Sequence, residues 1–323
     1  MRLFHDNQKV TQYSHGPLDF AALQTVPIAD RGGKVRTEHF ATLPPALPGF
    51  LDSLPKILAA DSLRAVVAAL QQARQRNKAI IWGLGGHVIK CGLAPVLIDL
   101  MKAGYATAFA MNGATSIHDF EIAIAGCTSE DVEAVLPDGR FGSARETGGG
   151  MNLAIARAQA QGIGMGEAIG LHLQEAALPG FAAHSLLHAA YQHKTPVTVH
   201  VAMGTDTPHT FPQADGAAIG ASTHHDFRLL CSLVRDLHEG GVYLNVGSAV
   251  ILPEVFLKAV SVVRNLGYPL REFTTVNFDF LQHYRPSANV VNRPHANAGG
   301  KGYSLTGHHE IMIPLLAALL RSA

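Results

Sequence analysis

Lys301 lies in the run Arg293-Pro-His-Ala-Asn-Ala-Gly-Gly-Lys-Gly-Tyr-Ser-Leu-Thr-Gly-His-His-Glu310. One amine, several imidazoles and amides stand among glycines there, without helical or strand periodicity. Such a segment makes poor core. It suits a site, because glycine lets the backbone approach a ligand closely. A lysine held among apolar walls can lose its proton and attack a carbonyl carbon to form an imine. Gly299, Gly300 and Gly302 leave room for substrate, and no acidic residue lies within eight positions on either side. The alternative is a solvated loop lysine beside a glycine turn.

Other short polar clusters interrupt the apolar runs. Gly85-Gly86-His87 opens a helical stretch, so its free N–H groups could hold a phosphate; it is not a GxGxxG. Asn112-Gly-Ala-Thr-Ser-Ile-His-Asp119 places small polar residues directly after an apolar run. Gly204-Thr-Asp206 and Gly247-Ser248 do the same. Gly162-Ile-Gly-Met-Gly166 follows no strand pattern and reads as a loop. His224-His225-Asp226 and His308-His309-Glu310 contain metal-ligand types, but adjacent residues on one element point in different directions. His118-Asp119 has the form of an HD pair. No HExxH or comparable i, i+4 pair is read, and no metal site is expected.

The elements that must position these clusters follow from periodicity. Asp61 to about Arg76 is an amphipathic helix, and Lys78–Trp82 a short strand. Gly83, Gly85 and Gly86 break that strand, and a helix follows with Val88, Ile89, Leu93, Val96, Leu97, Leu100 and Met101 on one face. Ala106–Met111 is the next strand, completing a βαβ unit. The alternation continues: helix Ala182–Gln192, strand Pro196–Met203, helix Asp226–Glu239, strand Val242–Val246, helix Pro253–Leu266, strand Phe273–Asp279, helix Glu310–Leu320. The strands are continuously apolar, as in a sheet covered on both faces. In such sheets the ligand lies at the carboxyl ends of the strands. Five clusters are expected there: Gly85–His87, Asn112–Asp119, Gly204–Asp206, Gly247-Ser248, and Lys301–Glu310. Residues 1–50, with Pro17, Pro27, Pro44, Pro45 and Pro48, read as an extended arm over a single domain, 51–323.

Composition narrows the classes. Twenty-five basic and 25 acidic side chains cancel, and no basic block exists, which argues against nucleic acid. No stretch of about 18 apolar residues occurs, so no membrane span is expected. Low charge (15%) with 47% hydrophobic residues suggests a homo-oligomer, most simply a tetramer. Cys91, Cys127 and Cys231 are odd in number and far apart. With no signal-like N-terminal run, they read as reduced thiols of a cytoplasmic protein.

The stretch Trp82-Gly-Leu-Gly-Gly-His-Val-Ile-Lys-Cys-Gly-Leu-Ala-Pro-Val-Leu-Ile-Asp-Leu-Met-Lys-Ala-Gly-Tyr105, continuing into Asn112–Asp119, resembles the deoxyhypusine synthase family. Thr195-Pro-Val, Thr205-Asp206, His225-Asp-Phe-Arg-Leu-Leu230, Gly241–Ser248 and Glu310–Leu316 extend the resemblance over residues 75 to 320. It implies a doubly wound, mostly parallel Rossmann-like α/β sheet. It also implies NAD as cofactor, with hydride abstraction and transfer of an alkyl fragment through a lysine imine to an amine or protein acceptor. By resemblance, Gly86, His87 and Lys90 match one set of NAD contacts, and Asn112, Gly113 and Asp119 a second. Gly85, Gly247 and Ser248 join the cofactor set from their strand-end positions. Asp206 matches a polar catalytic-site residue, and Lys301 falls within about one residue of the family's Ser-Trp-Gly-Lys lysine. His308 is added as a catalytic candidate beside it. The family's tryptophan position holds Gly299 or Gly300, its acidic pair becomes His295 and Ala296, and its Lys-His pair becomes Ile251-Leu252. A dication needs carboxylates to offset its desolvation, so the expected substrate is an amine or alcohol other than spermidine. The expected protein is an NAD-dependent transferase. A metal-assisted hydrolase using His118, Asp119, His225 and Asp226, and a non-catalytic nucleotide-binding protein, are the alternatives.

Overall fold

The computed structural model describes residue 18, residues 20–176, residue 178 and residues 180–322. Its centre is a six-stranded sheet: β1 Ile80–Leu84, β2 Ala108–Asn112, β3 Val197–His200, β4 Val242–Val246, β5 Thr274–Asp279 and β6 Lys301–Thr306. The spatial order is β3-β2-β1-β4-β5-β6, and every neighbouring pair is parallel. Trp82 pairs with Phe109 on one side and Leu244 on the other, which fixes the central register.

Residues of the first five strands are buried on both faces, and alternation assigns each to one layer. Ile80, Trp82 and Leu84 join the cluster formed with helices α1 (Leu58–Gln75), α3 (Ala94–Lys102) and α10 (His309–Arg321). Ile81, Ala108, Ala110 and Tyr243 face the other layer, under α8 (Gly216–Arg235) and α9 (Ile251–Asn265). The stripe Leu63, Val66, Val67, Leu70 and Ala73 seats α1, at the i, i+3, i+4, i+7 spacing that one helical face requires. The doubly wound α/β expectation is therefore met, with all six strands of this sheet parallel.

Helices Gly113–Ala125, Arg145–Gln161 and Met165–Glu175 have no counterpart among the expected elements; most expected boundaries shift by three residues or fewer, and three further differences are larger. Helix α8 begins ten residues earlier than its apolar pattern, because Asp215 accepts from the backbone N–H groups of Ala217 and Ala218 and starts it. The helix expected over 182–192 is a 3₁₀ turn, Gly180–His184, followed by α7 (Leu186–Gln192) capped by Ser185. Residues 301–306, expected as site loop, form the edge strand β6. The Gly162–Gly166 run, expected as a loop, is a connection only over residues 162–164, and Met165 and Gly166 already belong to the next helix. Gly162 ends α5 (Arg145–Gln161) at φ +66°, and Gly164 precedes α6 (Met165–Glu175).

The arm's residues 1–17, Pro17 among them, and residue 19 lie outside the described residues. The rest of it packs on the chain's own body. Val35–Arg36 pairs antiparallel with Cys127–Thr128, the Ala41 N–H donates to Gly92 O, and the Leu47 N–H donates to Ser322 Oγ. Its anchor is Arg31, whose guanidinium is paired to the buried Glu121 carboxylate; the two side chains are 5% and 3% exposed. Thr147 and Thr128 donate to the same carboxylate.

Candidate functional site

The strand order reverses between β1 and β4. The chain moves outward from β1 through β2 to β3, then crosses back to β4 and continues to β5 and β6. That is a topological switch point, where the carboxyl ends of parallel strands open a crevice. Both strands bordering it end in glycine turns that touch. A Cβ on Gly85 would lie 1.9 Å from Gly247 O, and the Gly85 N–H donates to Val246 O at 2.9 Å. Gly247 adopts φ +67°, a left-handed conformation that glycine takes without strain.

Around this crevice the structure gathers Gly85, Gly86 and His87 after β1, Asn112 and Gly113 after β2, and Gly247 and Ser248 after β4. The expected fifth cluster is divided. His308, His309 and Glu310 follow β6 and do reach the carboxyl end. Lys301 is the first residue of β6, paired with Thr274 at the start of β5. It lies at the amino edge of the sheet, about 16 Å away along a strand at ~3.3 Å per residue. Its side chain is exposed, with Nζ 5.1 Å from the Tyr303 ring centroid. The enclosing apolar wall that an imine-forming lysine needs is absent, and the structure does not bring Lys301 to the crevice. Gly302, expected to leave space for substrate, abuts Val291 O, which a Cβ would meet at 2.0 Å.

Asp119 is also corrected. It is fully buried and accepts from Ser185 Oγ (2.6 Å), Leu186 N (2.7 Å) and Leu187 N (2.9 Å), so it anchors the start of α7. No oxygen is left for a cofactor. Burial pushes its carboxyl up to about 6. Asp226 is also an anchor: Oδ2 accepts from Gly166 N and Val199 N, and burial raises its carboxyl to about 7, while Oδ1, packed against Gly164, has no hydrogen-bond partner among the described residues. A hydrolase centre on His118, Asp119, His225 and Asp226 therefore loses both carboxylates to helix and strand anchoring. Ser248 is 2% exposed, its hydroxyl accepting from Leu252 N and its carbonyl from Asn245 Nδ2. Asn112 caps α4 (Gly113–Ala125) by accepting from Thr115 N.

Asp206 reaches this end from the loop beyond β3. Its Oδ2 stands where a Cβ on Gly113 would be, 2.0 Å from that position, which explains the glycine. That oxygen is buried and has no hydrogen-bond partner among the described residues. Burial raises the carboxyl to about 6, and His209 Nε2 is 3.9 Å away. A buried carboxylate oxygen at the tip of β2, short of a partner, is an acceptor awaiting a donor.

The turn after β1 forms α2, Gly86–Lys90, only five residues long. Its dipole is too short to carry anion binding alone, so the close-packed glycines matter more than the helix end. Behind Gly86 sits His118, whose Cδ2 would be 3.4 Å from an added Cβ. The Thr128 hydroxyl donates to Glu121, so its oxygen must accept from His118 Nδ1–H at 2.8 Å. That network assigns the lone pair to Nε2. Burial is the main cause lowering His118 to about 4.

On the other side of α2, His87 lies 5.7 Å from His309 and 6.2 Å from Phe280, ring centre to ring centre. Burial, then His309 and Lys90, lower its pKa. His309 is buried at 1% exposure; Nε2–H donates to Phe278 O at 3.2 Å, and Nδ1 is an acceptor with no partner among the described residues. His308, exposed, stacks on Phe280 at 5.9 Å and 10°. His87 and Cys91 stand one turn apart, an i, i+4 pair, contrary to the expectation that none exists. The pair is visible in the sequence as His-Val-Ile-Lys-Cys, directly after the glycine turn. The Arg31–Glu121–Thr128–His118 network could not be found from spacing, since its members come from three separate segments.

A cavity of about 660 Å³ lies elsewhere: Gly166, Glu167, Tyr191, Lys194 and Val197 line it at the amino end of β3. None of the expected site residues borders it.

No family model matches the chain, and no curated protein does. Among solved structures, ArgZ, an arginine dihydrolase from the ornithine–ammonia cycle in cyanobacteria, is 16% identical (TM-score 0.47, 82% of this chain, 33% of that one). AgrE, solved in a ternary complex with ornithine and NAD+, is 12% identical (TM-score 0.47, 81% and 33%). A candidate deoxyhypusine synthase from Entamoeba histolytica is 10% identical (TM-score 0.45, 80% and 87%). The chain spans about a third of the length of ArgZ and AgrE. Similarity at this level assigns no reaction to the chain. No helix among the described residues is long and apolar enough to cross a membrane.

Proposed function

We propose that the chain is an NAD-dependent enzyme that abstracts a hydride from an amine or alcohol, with the dinucleotide lying across the crevice between β1 and β4. One observation carries this: the strand order places the switch point where two glycine turns, Gly85-Gly86 and Gly247, meet. The residues present fit such a group. Gly85, Gly86 and Gly247 offer backbone close to a pyrophosphate, and Asn112 and Gly113 border the next turn. Asp206, with its unpartnered oxygen at the tip of β2, stands where an acidic residue accepts from a ribose hydroxyl. His87 and Lys90 supply polar side chains beside the crevice.

NAD+, when bound, accepts both electrons of a substrate C–H bond as hydride. The matching O–H or N–H proton must leave to a base. His118 supports that role, since its Nε2 lone pair is fixed by the Thr128–Glu121 chain beside Gly86. A shared oligomer, in the simplest case a homotetramer, and a single unit over residues 51–323 belong to the same proposal.

Calorimetric titration with NAD+ tests it. Micromolar-range binding is expected, abolished by Gly86→Glu and weakened ~10- to 100-fold by Asp206→Asn, the loss expected when a hydrogen bond to a charged group is removed. No binding of NAD+ or NADP+ up to millimolar concentration overturns it. Binding without turnover of any amine or alcohol would favour the non-catalytic alternative.

A further inference from the structure

We propose that His87, Cys91 and Glu310 form a three-ligand site for a zinc-type divalent cation at the rim of the carboxyl-end crevice. One imidazole nitrogen, one thiol sulfur and one carboxylate oxygen there all lie within 4.8 Å of one another. In a tetrahedral zinc site with bonds of about 2.0–2.3 Å, ligand atoms stand roughly 3.3–3.8 Å apart. Cys91 Sγ is already 3.6 Å from Glu310 Oε2. Rotamer adjustments of about an ångström therefore close the site without moving the backbone.

The backbone reason for this convergence is the fold. His87 and Cys91 are presented one turn apart by α2, directly after β1. Glu310 belongs to the first turn of α10, directly after β6. Cys91 adjoins Gly92, where φ +71° and the close Phe40 backbone fix the end of the turn. The ligands thus come from two independently anchored elements.

The donor set selects the metal class. Sulfur and imidazole disfavour magnesium and calcium, which prefer all-oxygen shells, and favour zinc, cobalt and their neighbours. Three protein ligands leave one position for water or a substrate oxygen, the count of reactive rather than structural zinc sites. His87 and Glu310 are exposed and Cys91 half-buried, so an ion can reach them from solvent. His308, with Nδ1 3.9 Å from Glu310 Oε1 and its ring stacked on Phe280, is a further imidazole beside the site. The inference stands on these three ligands and does not depend on dinucleotide binding.

The test reads the metal itself. The full chain is stripped with chelator and titrated with Co2+, a spectroscopic stand-in for zinc. A saturable, stoichiometric thiolate-to-cobalt charge-transfer band with intense visible d–d absorption is expected. Cys91→Ser should abolish the charge-transfer band, and His87→Gln or Glu310→Gln should weaken binding at least tenfold. Circular dichroism and thermal melting confirm that each variant folds. Cys127→Ser and Cys231→Ser should leave the band intact. No band, a band that does not saturate, or one that survives Cys91→Ser and disappears with another cysteine overturns the proposal.

Discussion

Replacing Gly85 by alanine should separate the two turns on which the proposed cofactor site depends. The added Cβ would lie 1.9 Å from Gly247 O, 2.5 Å from Gly247 C and 3.1 Å from Ser248 N. Ordinary contact lies near 3.5 Å, so the turns must move apart by more than about 1 Å. All three atoms are backbone, so no side-chain rotation can relieve the clash. Overpacking of this kind costs about 1–3 kcal/mol. The Gly85 N–H to Val246 O bond is strained by the same movement, and losing a buried pairing costs about 1–3 kcal/mol more. A destabilisation of about 3 kcal/mol or greater is expected, together with loss of NAD+ binding. Gly220→Ala is the matched control. Gly220 lies on the exposed side of α8, its φ is not positive, and a Cβ there meets nothing within 4 Å. Alanine there should stabilise by about 0.5–1 kcal/mol. Urea unfolding followed by circular dichroism, with comparable m-values, measures both. If Gly85→Ala cost less than about 1 kcal/mol, the contact between the turns could not be as close as described.

Arg31→Met leaves the buried Glu121 carboxylate without its cation and should cost about 3–5 kcal/mol by the same unfolding assay; a loss under 1 kcal/mol would show that this segment does not anchor the chain. His200 is buried, and burial lowers it to about 3. The unfolded chain takes up its proton near pH 6.5 while the native state does not, so this stability is complete above that pH and falls as pH drops toward 3. By pH 5 the term amounts to about 2 kcal/mol, and His200→Gln should lose correspondingly less stability than the parent between pH 7 and pH 5. Lys301→Ala should change stability by under about 0.5 kcal/mol and leave NAD+ binding untouched; a large loss of cofactor affinity would require Lys301 to reach the crevice.

The architecture was legible because parallel strands buried on both faces leave continuous apolar runs, and Val242–Val246 was located to the residue. Helix α8 was misjudged at its start because Gly216 to His225 is small and polar, and only the Asp215 cap marks the beginning. Strand β6 was missed for the opposite reason. It is an edge strand with four of its six residues polar or glycine, so its pattern looks like loop, and its polarity drew chemistry toward Lys301. The direction of β6 then decides the outcome: the same short segment has one end at the amino edge and the other at the carboxyl edge. Spacing could place Gly85, Gly86 and Gly247 at strand ends, but not show that they touch. It could not separate Asp119, committed to the start of α7, from Asp206, whose oxygen lacks a partner. Both are aspartates in polar stretches, and only three-dimensional pairing distinguishes an anchor from an acceptor.

The most direct measurement is a crystal structure of the protein soaked with, or grown in, NAD+. Density for the pyrophosphate between Gly86 and Gly247, with a ribose hydroxyl donating to Asp206, is the predicted result. Dinucleotide bound elsewhere, for instance in the cavity beside Lys194, or crystals that remain free of it at millimolar concentration, would contradict the account.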